Sequence, residues 1–187
     1  MHRGYKVWKI KLDPSSRQAH KLVSSTVPGY TWTPGENIST AEGVPLKEFG
    51  QTHAGFYSVR EPEELAEQGY FPPGGLGTSG EIIPYGKLLE GEKGFRSEKA
   101  KISGIFEEEA GDPLCEVCRR EPADRVFIIE KGEGSIEVCK ACLKRLRSAL
   151  KRGGEVGRHE MYLGLATHYD VPLILLPDKL REARRKG

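Results

Sequence analysis

The stretch Cys115-Glu-Val-Cys118, followed twenty residues later by Cys139-Lys-Ala-Cys142, contains every cysteine of this 187-residue chain. Each CxxC pair places two thiolates near one point on a tight turn. Two such turns supply four soft ligands, the set that a tetrahedral Zn²⁺ takes. A thioredoxin-like redox site uses one CxxC rather than two, and a disulfide closed within either pair would be strained. The spacing therefore predicts a metal centre built from Cys115, Cys118, Cys139 and Cys142, with Zn²⁺ as the ion and an iron–sulfur cluster as the alternative. Four thiolates leave no open coordination position, so the predicted role is structural.

Between the pairs, Arg125-Val-Phe-Ile-Ile-Glu130 and Ser135-Ile-Glu-Val138 are β-prone runs joined by Lys131-Gly-Glu-Gly134, which reads as a hairpin. From Cys139 to Lys151, leucines at 143, 146 and 150 mark one helical face, with neither proline nor glycine before Gly153. The second pair therefore opens a helix. Knuckle, hairpin and a helix whose first turn carries the last two ligands make residues 115–152 resemble a treble-clef zinc finger. The resemblance implies a fold and not an activity. A segment this small has too little core to fold unaided, so metal binding is expected to supply much of its folding free energy.

Outward from this module, the remaining length suits one ordinary domain. Lysine and arginine number 29 against 27 acidic residues, a net charge of only +2, so partners must be sought in local patches. No apolar run is long enough to span a bilayer, Met1-His-Arg-Gly-Tyr-Lys6 lacks a signal-peptide core, and the cysteines cluster at one site. A soluble, cytoplasmic protein is expected.

Tyr5 to Leu12 reads as a strand with Trp8, Ile10 and Leu12 on one side and Lys9 and Lys11 on the other, the Val7-Trp8 pair marking a bulge. Leu22–Val27 and Tyr30–Thr33 are further β-prone runs, and 34–50 reads as a long surface loop. Gly55–Val59 predicts a strand and Arg60–Gln68 a short helix. The glycine cluster 71–80 lacks the order of a phosphate-binding loop and reads as a hairpin or lid. Glu81–Leu89 and Ala100–Phe106 predict two strands joined by a charged link, 91–98. After the module, Gly153-Gly154 releases the chain, Glu160–Tyr169 is a helix, Val171–Leu176 is extended, and Asp178 caps a final basic helix. The fold class is α+β: a mainly antiparallel sheet domain with short helices, formed by 1–110 and 155–187, with the zinc module at 111–154 inserted in it.

Two further likenesses rest on quoted residues. Gly55-Phe-Tyr57, the Pro62-Glu-Glu-Leu-Ala66 run, the segment Gly80 to Ala100 and the ending Leu165-Ala-Thr-His-Tyr-Asp-Val-Pro172 resemble a group of small bacterial and phage proteins. Those carry a GIYA strand, a GxVxLxGxVxExExGxRAExA segment and a closing LAxxYGVP. That resemblance implies the inserted architecture and carries no activity. The same strand is also similar to one in ADP-ribosyltransferases, where a tyrosine stacks on nicotinamide, and Tyr57 is the matching position. The histidine of their first strand has no counterpart in Tyr5-Lys-Val-Trp8, and no catalytic glutamate can be placed.

The five histidines share no metal-ligand spacing, and an enzyme is the less favoured reading. Arg96 can clamp a carboxylate or phosphate, so Tyr57 and Arg96 are candidate ligand-binding residues. The helix after Cys142 carries Lys140, Lys144, Arg145, Arg147, Lys151 and Arg152 with no acidic residue. One-signed charge of this kind offsets a tetrathiolate and also makes a phosphate-binding surface. The expectation is a non-enzymatic, zinc-stabilised module that binds nucleic acid, with an adaptor docking on an acidic protein surface as the alternative. Trp8, Tyr30 and Trp32 are candidate base-stacking residues, weighed against core packing.

Overall fold

The computed structural model describes residues 2–12, 21–24, 29–67, 76–107, 113–129, 135–149 and 153–186. The architecture is α+β with mostly antiparallel sheets and short helices. In chain order the elements are β1 (Gly4–Lys11), β2 (Lys21–Ser24), β3 (Glu36–Ile38), α1 (Leu46–Gln51), β4 (Phe56–Val59), α2 (Glu64–Glu67), β5 (Gly77–Glu90) and β6 (Gly94–Glu107). There follow β7 (Arg125–Ile129), β8 (Ser135–Val138), α3 (Lys140–Ala149), β9 (Gly153–Gly157), α4 (Arg158–Tyr169), β10 (Leu173–Leu175) and α5 (Asp178–Lys186).

The larger sheet has seven strands, and four of them close a ring. β1 pairs with β5, β5 with β6, β6 with β4, and β4 returns to β1 through the single register pair Tyr5↔Val59. All four pairings are antiparallel. β2 and β3 extend the ring at β1 and β6, and β10 joins β6 in parallel. Trp8, Leu22, Trp32, Phe56, Ile82 and Ile102 fill the principal core, which α4 closes with Met161, Tyr162 and Leu165. The Tyr169 hydroxyl fastens α4 to the sheet, accepting from Leu22 N at 2.9 Å and donating to Trp32 O at 3.0 Å. A second core on the other face of β1 joins Val7, Val59, Leu65 and Phe106 to Leu176 and Leu180 of the C-terminal segment.

Burial on both faces of β1 explains the Val7-Trp8 pair. The register from Tyr5↔Glu81 to Lys9↔Gly77 runs through without a bulge, because Val7 has its own core to enter. The irregularities lie in the β5–β6 pairing instead: between Glu81 and Ile82 the extra residue is Ser103 of β6, and between Tyr85 and Leu88 it is in β5, beside Gly86 with φ +75°. Trp8 and Trp32 are fully buried and meet edge to face at 5.6 Å, so both are core residues and present no face to a base. Tyr30, half-buried, packs edge-on against Trp32 and Phe56.

The glycine cluster and the charged link also depart from expectation. Residues 77–80 begin β5, and 94–98 lie within β6, so two fourteen-residue strands meet at a short turn around Glu92. Glycine is needed at 80 because a Cβ there would lie 2.2 Å from Gly104 O, against Trp8. The stretch 34–50 is not purely loop, since it holds β3 and most of α1.

The smaller sheet has the order β8-β7-β9, all antiparallel. β9 takes up Gly153 and Gly154, where the sequence predicts only a release of the chain. Alternation along β7 gives this sheet two destinations: Val126 and Ile128 enter the principal core with Val156, while Phe127 faces the cysteines.

Candidate metal centre and basic helix

The first cysteine pair sits on a knuckle that its own backbone closes. Cys115 N donates to Glu121 O at 2.8 Å, Ala123 N to Pro113 O at 2.9 Å, and Arg119 N to Cys115 O at 2.8 Å. Arg119 takes the left-handed conformation, φ +54°, which turns the chain after Cys118. Glu116 then ties the knuckle to β8: its N–H donates to Glu137 O, and its carboxylate accepts from Glu137 N, both at 2.9 Å. β8 leads directly into Cys139, which accepts the first helical bond of α3 from Leu143 N at 2.9 Å. Cys142 follows on that first turn.

Knuckle and helix start are thereby brought together, and the four sulfurs all lie within 4.8 Å of one another. Cys118 Sγ and Cys139 Sγ are 4.0 Å apart. A tetrahedral ion with Zn–S bonds of about 2.3 Å separates its sulfurs by about 3.8 Å, so this set can hold one metal ion. Phe127, Val138 and Leu143 shield the cluster from water, with Leu146 half-buried beside them.

The electrostatics of the cluster also call for a cation. Burial opposes the Cys115 thiolate, yet the backbone N–H groups of Cys118, Cys139 and Val117 outweigh it and bring that thiol down to about 6. The Cys118 thiol is lowered, chiefly by the N–H groups of Glu121 and Arg120. Cys142 goes the other way: burial, then its three sulfur neighbours, push it up to about 12. Four adjacent thiols cannot all ionise without a compensating charge, which a divalent ion held among them would supply.

Of the six cations predicted on the helix, the four among the described residues, Lys140, Lys144, Arg145 and Arg147, are exposed on α3. Lys140 lies 3.7 Å from Asp124, and Arg147 pairs with Glu155 of β9. Lys144 and Arg145 are exposed, and neither pairs with a described carboxylate. Lys151 and Arg152 lie outside the described residues. Arg119 and Arg120, absent from the sequence reading, are exposed on the knuckle immediately after Cys118. Their adjacency to a metal ligand was the available signal.

Tyr57 and Arg96 face each other across β4 and β6. Arg96 Nη2 donates to Phe49 O at 2.6 Å, Nη1 donates to Thr52 O, and Nη1 also reaches the Tyr57 hydroxyl at 3.3 Å. Its guanidinium lies 4.8 Å from the centre of the Phe49 ring. Arg96 thus satisfies carbonyls at the C-terminus of α1, and Glu98 bonds Lys87 at 2.5 Å rather than joining the pair. Lys6, not among the residues predicted from sequence, is buried and its side chain donates to Tyr57 O at 2.9 Å. Burial draws the Lys6 ammonium down to about 8. Its place in the Trp8, Ile10, Leu12 register was the sign that it points inward.

No protein-family model, curated protein sequence or solved structure matches this chain. Among the described residues, no helix is long and apolar enough to cross a membrane.

Proposed function

We propose that the four cysteines hold a structural Zn²⁺ in a treble-clef arrangement, and that the surface around this ion binds nucleic-acid phosphates. The supporting observation is the placement of Lys144 and Arg145, exposed and without a described carboxylate partner, two and three residues after the ligand Cys142. Arg119 and Arg120 stand one and two residues after the ligand Cys118. Fixing both segments to one ion fixes the spacing of their cations, which is what recognition of a phosphate backbone needs. The paired Lys140 and Arg147 remain available, since exposed ion pairs are worth about 0–1 kcal/mol and yield to a stronger anion.

Filter binding of single-stranded RNA and duplex DNA over a salt series tests this reading, beside elemental analysis for one zinc per chain. Affinity should fall steeply with salt. Lys144→Gln with Arg145→Gln should flatten the log–log slope by about two and weaken binding to all sequences alike. Binding that is absent at low salt, or indifferent to the double substitution, rules the nucleic-acid reading out.

A second reading has its own observation. Leu114 and Val117 on the knuckle are 50% and 52% exposed, an apolar pair beside the same cations. These features suit an acidic protein partner, in which case a nuclease-resistant protein co-purifies and Val117→Ser releases it.

A further inference from the structure

The β-ring is thinnest where β1 meets β4, held there by the one pair Tyr5↔Val59. A cavity of about 310 Å³ opens at this seam, bordered by 5–7 of β1, 57–59 of β4, Leu65 of α2 and the β5–β6 turn. Val7, Val59, Leu65 and Phe95 give it a buried apolar wall, and exposed Lys93 stands at its mouth. Two buried polar groups border it, an ammonium without a described counter-charge and a hydroxyl without a described hydrogen-bond partner. Lys6 is 4% exposed, with only Tyr57 O and the Trp32 ring, 5.9 Å away, to answer its charge, and no described carboxylate pairs with it. Ser58 is 7% exposed, and its hydroxyl has no hydrogen-bond partner among the described residues. The one acid at the border, Glu90, is bonded to Arg60 at 3.0 Å.

An ammonium kept from water without a counter-ion is costly, and so is a buried hydroxyl left unbonded. Both costs fall together if the same molecule brings an anionic group to the pair. We propose that this cavity binds a small organic anion with an apolar body, the anionic group taken by Lys6 and Ser58 and the body by Val7, Val59, Leu65 and Phe95. The volume lies at the low end of ligand pockets, which limits the body to about two or three rings. The site shares no residue with the metal centre, so the two proposals stand or fall separately.

The test is a fluorescence titration of the full chain with anilinonaphthalene sulfonate, set against N-phenylnaphthylamine, the same ring system without the sulfonate. One sulfonate probe should bind per chain, tighter than the neutral one. Lys6→Met should weaken the sulfonate probe on the order of tenfold or more and leave the neutral probe unchanged. Leu89→Trp, which fills the cavity from its rim, should weaken both. Equal affinity for the two probes, or a sulfonate affinity that survives both substitutions, overturns the proposal. If Lys6→Met does not fold, Ser58→Ala takes its place, and unchanged sulfonate affinity in that variant and in Leu89→Trp is the overturning result.

Discussion

Outside the cysteine cluster, Lys6 is a residue whose chemistry its environment alters plainly. Burial disfavours its charged form and lowers its pKa from 10.5 to about 8. Between those values the unfolded chain binds the proton that the folded chain has released, so stability rises with pH through this window. Below pH 8 both states are protonated, and the full penalty is carried, about 3 kcal/mol from a shift of this size. Lys6→Met keeps the stem and removes the charge. It should raise stability at pH 7 by about 1–3 kcal/mol, less whatever the bond to Tyr57 O contributes, and abolish the rise between pH 8 and 10.5. Urea denaturation of both proteins at several pH values measures this directly, and a destabilised Lys6→Met at pH 7 contradicts it. The inward direction of Lys6 was legible from the alternation of Trp8, Ile10 and Leu12. That no described carboxylate pairs with it was not, because that depends on what β4 brings across the ring. Arg96 shows the same limit: its pairing with Tyr57 follows from strand register, and its use on Phe49 O and Thr52 O follows from where α1 ends.

At the scale of elements, the sequence is most legible where local pattern and burial agree. The helix after Cys139 and the helix ending at Tyr169 have one buried face each, and their spacing shows it, while the hairpin between the cysteine pairs shows in its β-prone runs although both faces of β7 are buried. β5 and β6 were harder to see because their glycines and charges look like breakers. Each has a tertiary reason. Gly94 faces Ser58, and a Cβ on it would lie 2.0 Å from Ser58 O. Arg96 and Glu98 find partners within the fold, so charges that read as a solvated link sit inside a strand. Gly94→Ala must therefore push β6 away from β4, and should cost about 2–3 kcal/mol, the usual scale of overpacking. For a chain of this size that lowers the melting temperature by roughly 5–10 °C. Gly91→Ala is the control on the same turn, since its nearest neighbour would be Gly94 O at 3.7 Å, and it should change stability by less than about 0.5 kcal/mol. Thermal scans that rank the two variants alike would show that the close approach of β4 and β6 is not a constraint.

For the whole molecule, the question is how far the influence of the proposed metal centre extends. The two faces of β7 answer it: Phe127 lies on the sulfur cluster, while Val126 and Ile128 share a core with Trp8, Met161 and Tyr162. Arg158, at the start of α4, adds a polar tie, its Nε 3.2 Å from Glu137 of β8 and its Nη2 donating to the Tyr162 hydroxyl at 3.2 Å. A shift of the hairpin therefore reaches α4 by packing and by charge at once. The β5–β6 hairpin shares that core through Ile82 and Ile102, but its strand partners are β1, β3, β4 and β10, none of them a strand of the smaller sheet. Stripping the ion with a chelator, or replacing Cys118 by serine, should release the amides of β7, β8 and α3 to fast hydrogen exchange. The amides of α4 should accelerate by a smaller factor, and those of β5 and β6 should remain protected. The graded outcome distinguishes this coupling from its alternatives. Protection lost everywhere would mean that the ion organises the entire fold, whereas α4 unchanged would mean that Val126, Ile128 and Arg158 hold the hairpin in place without the ion's help.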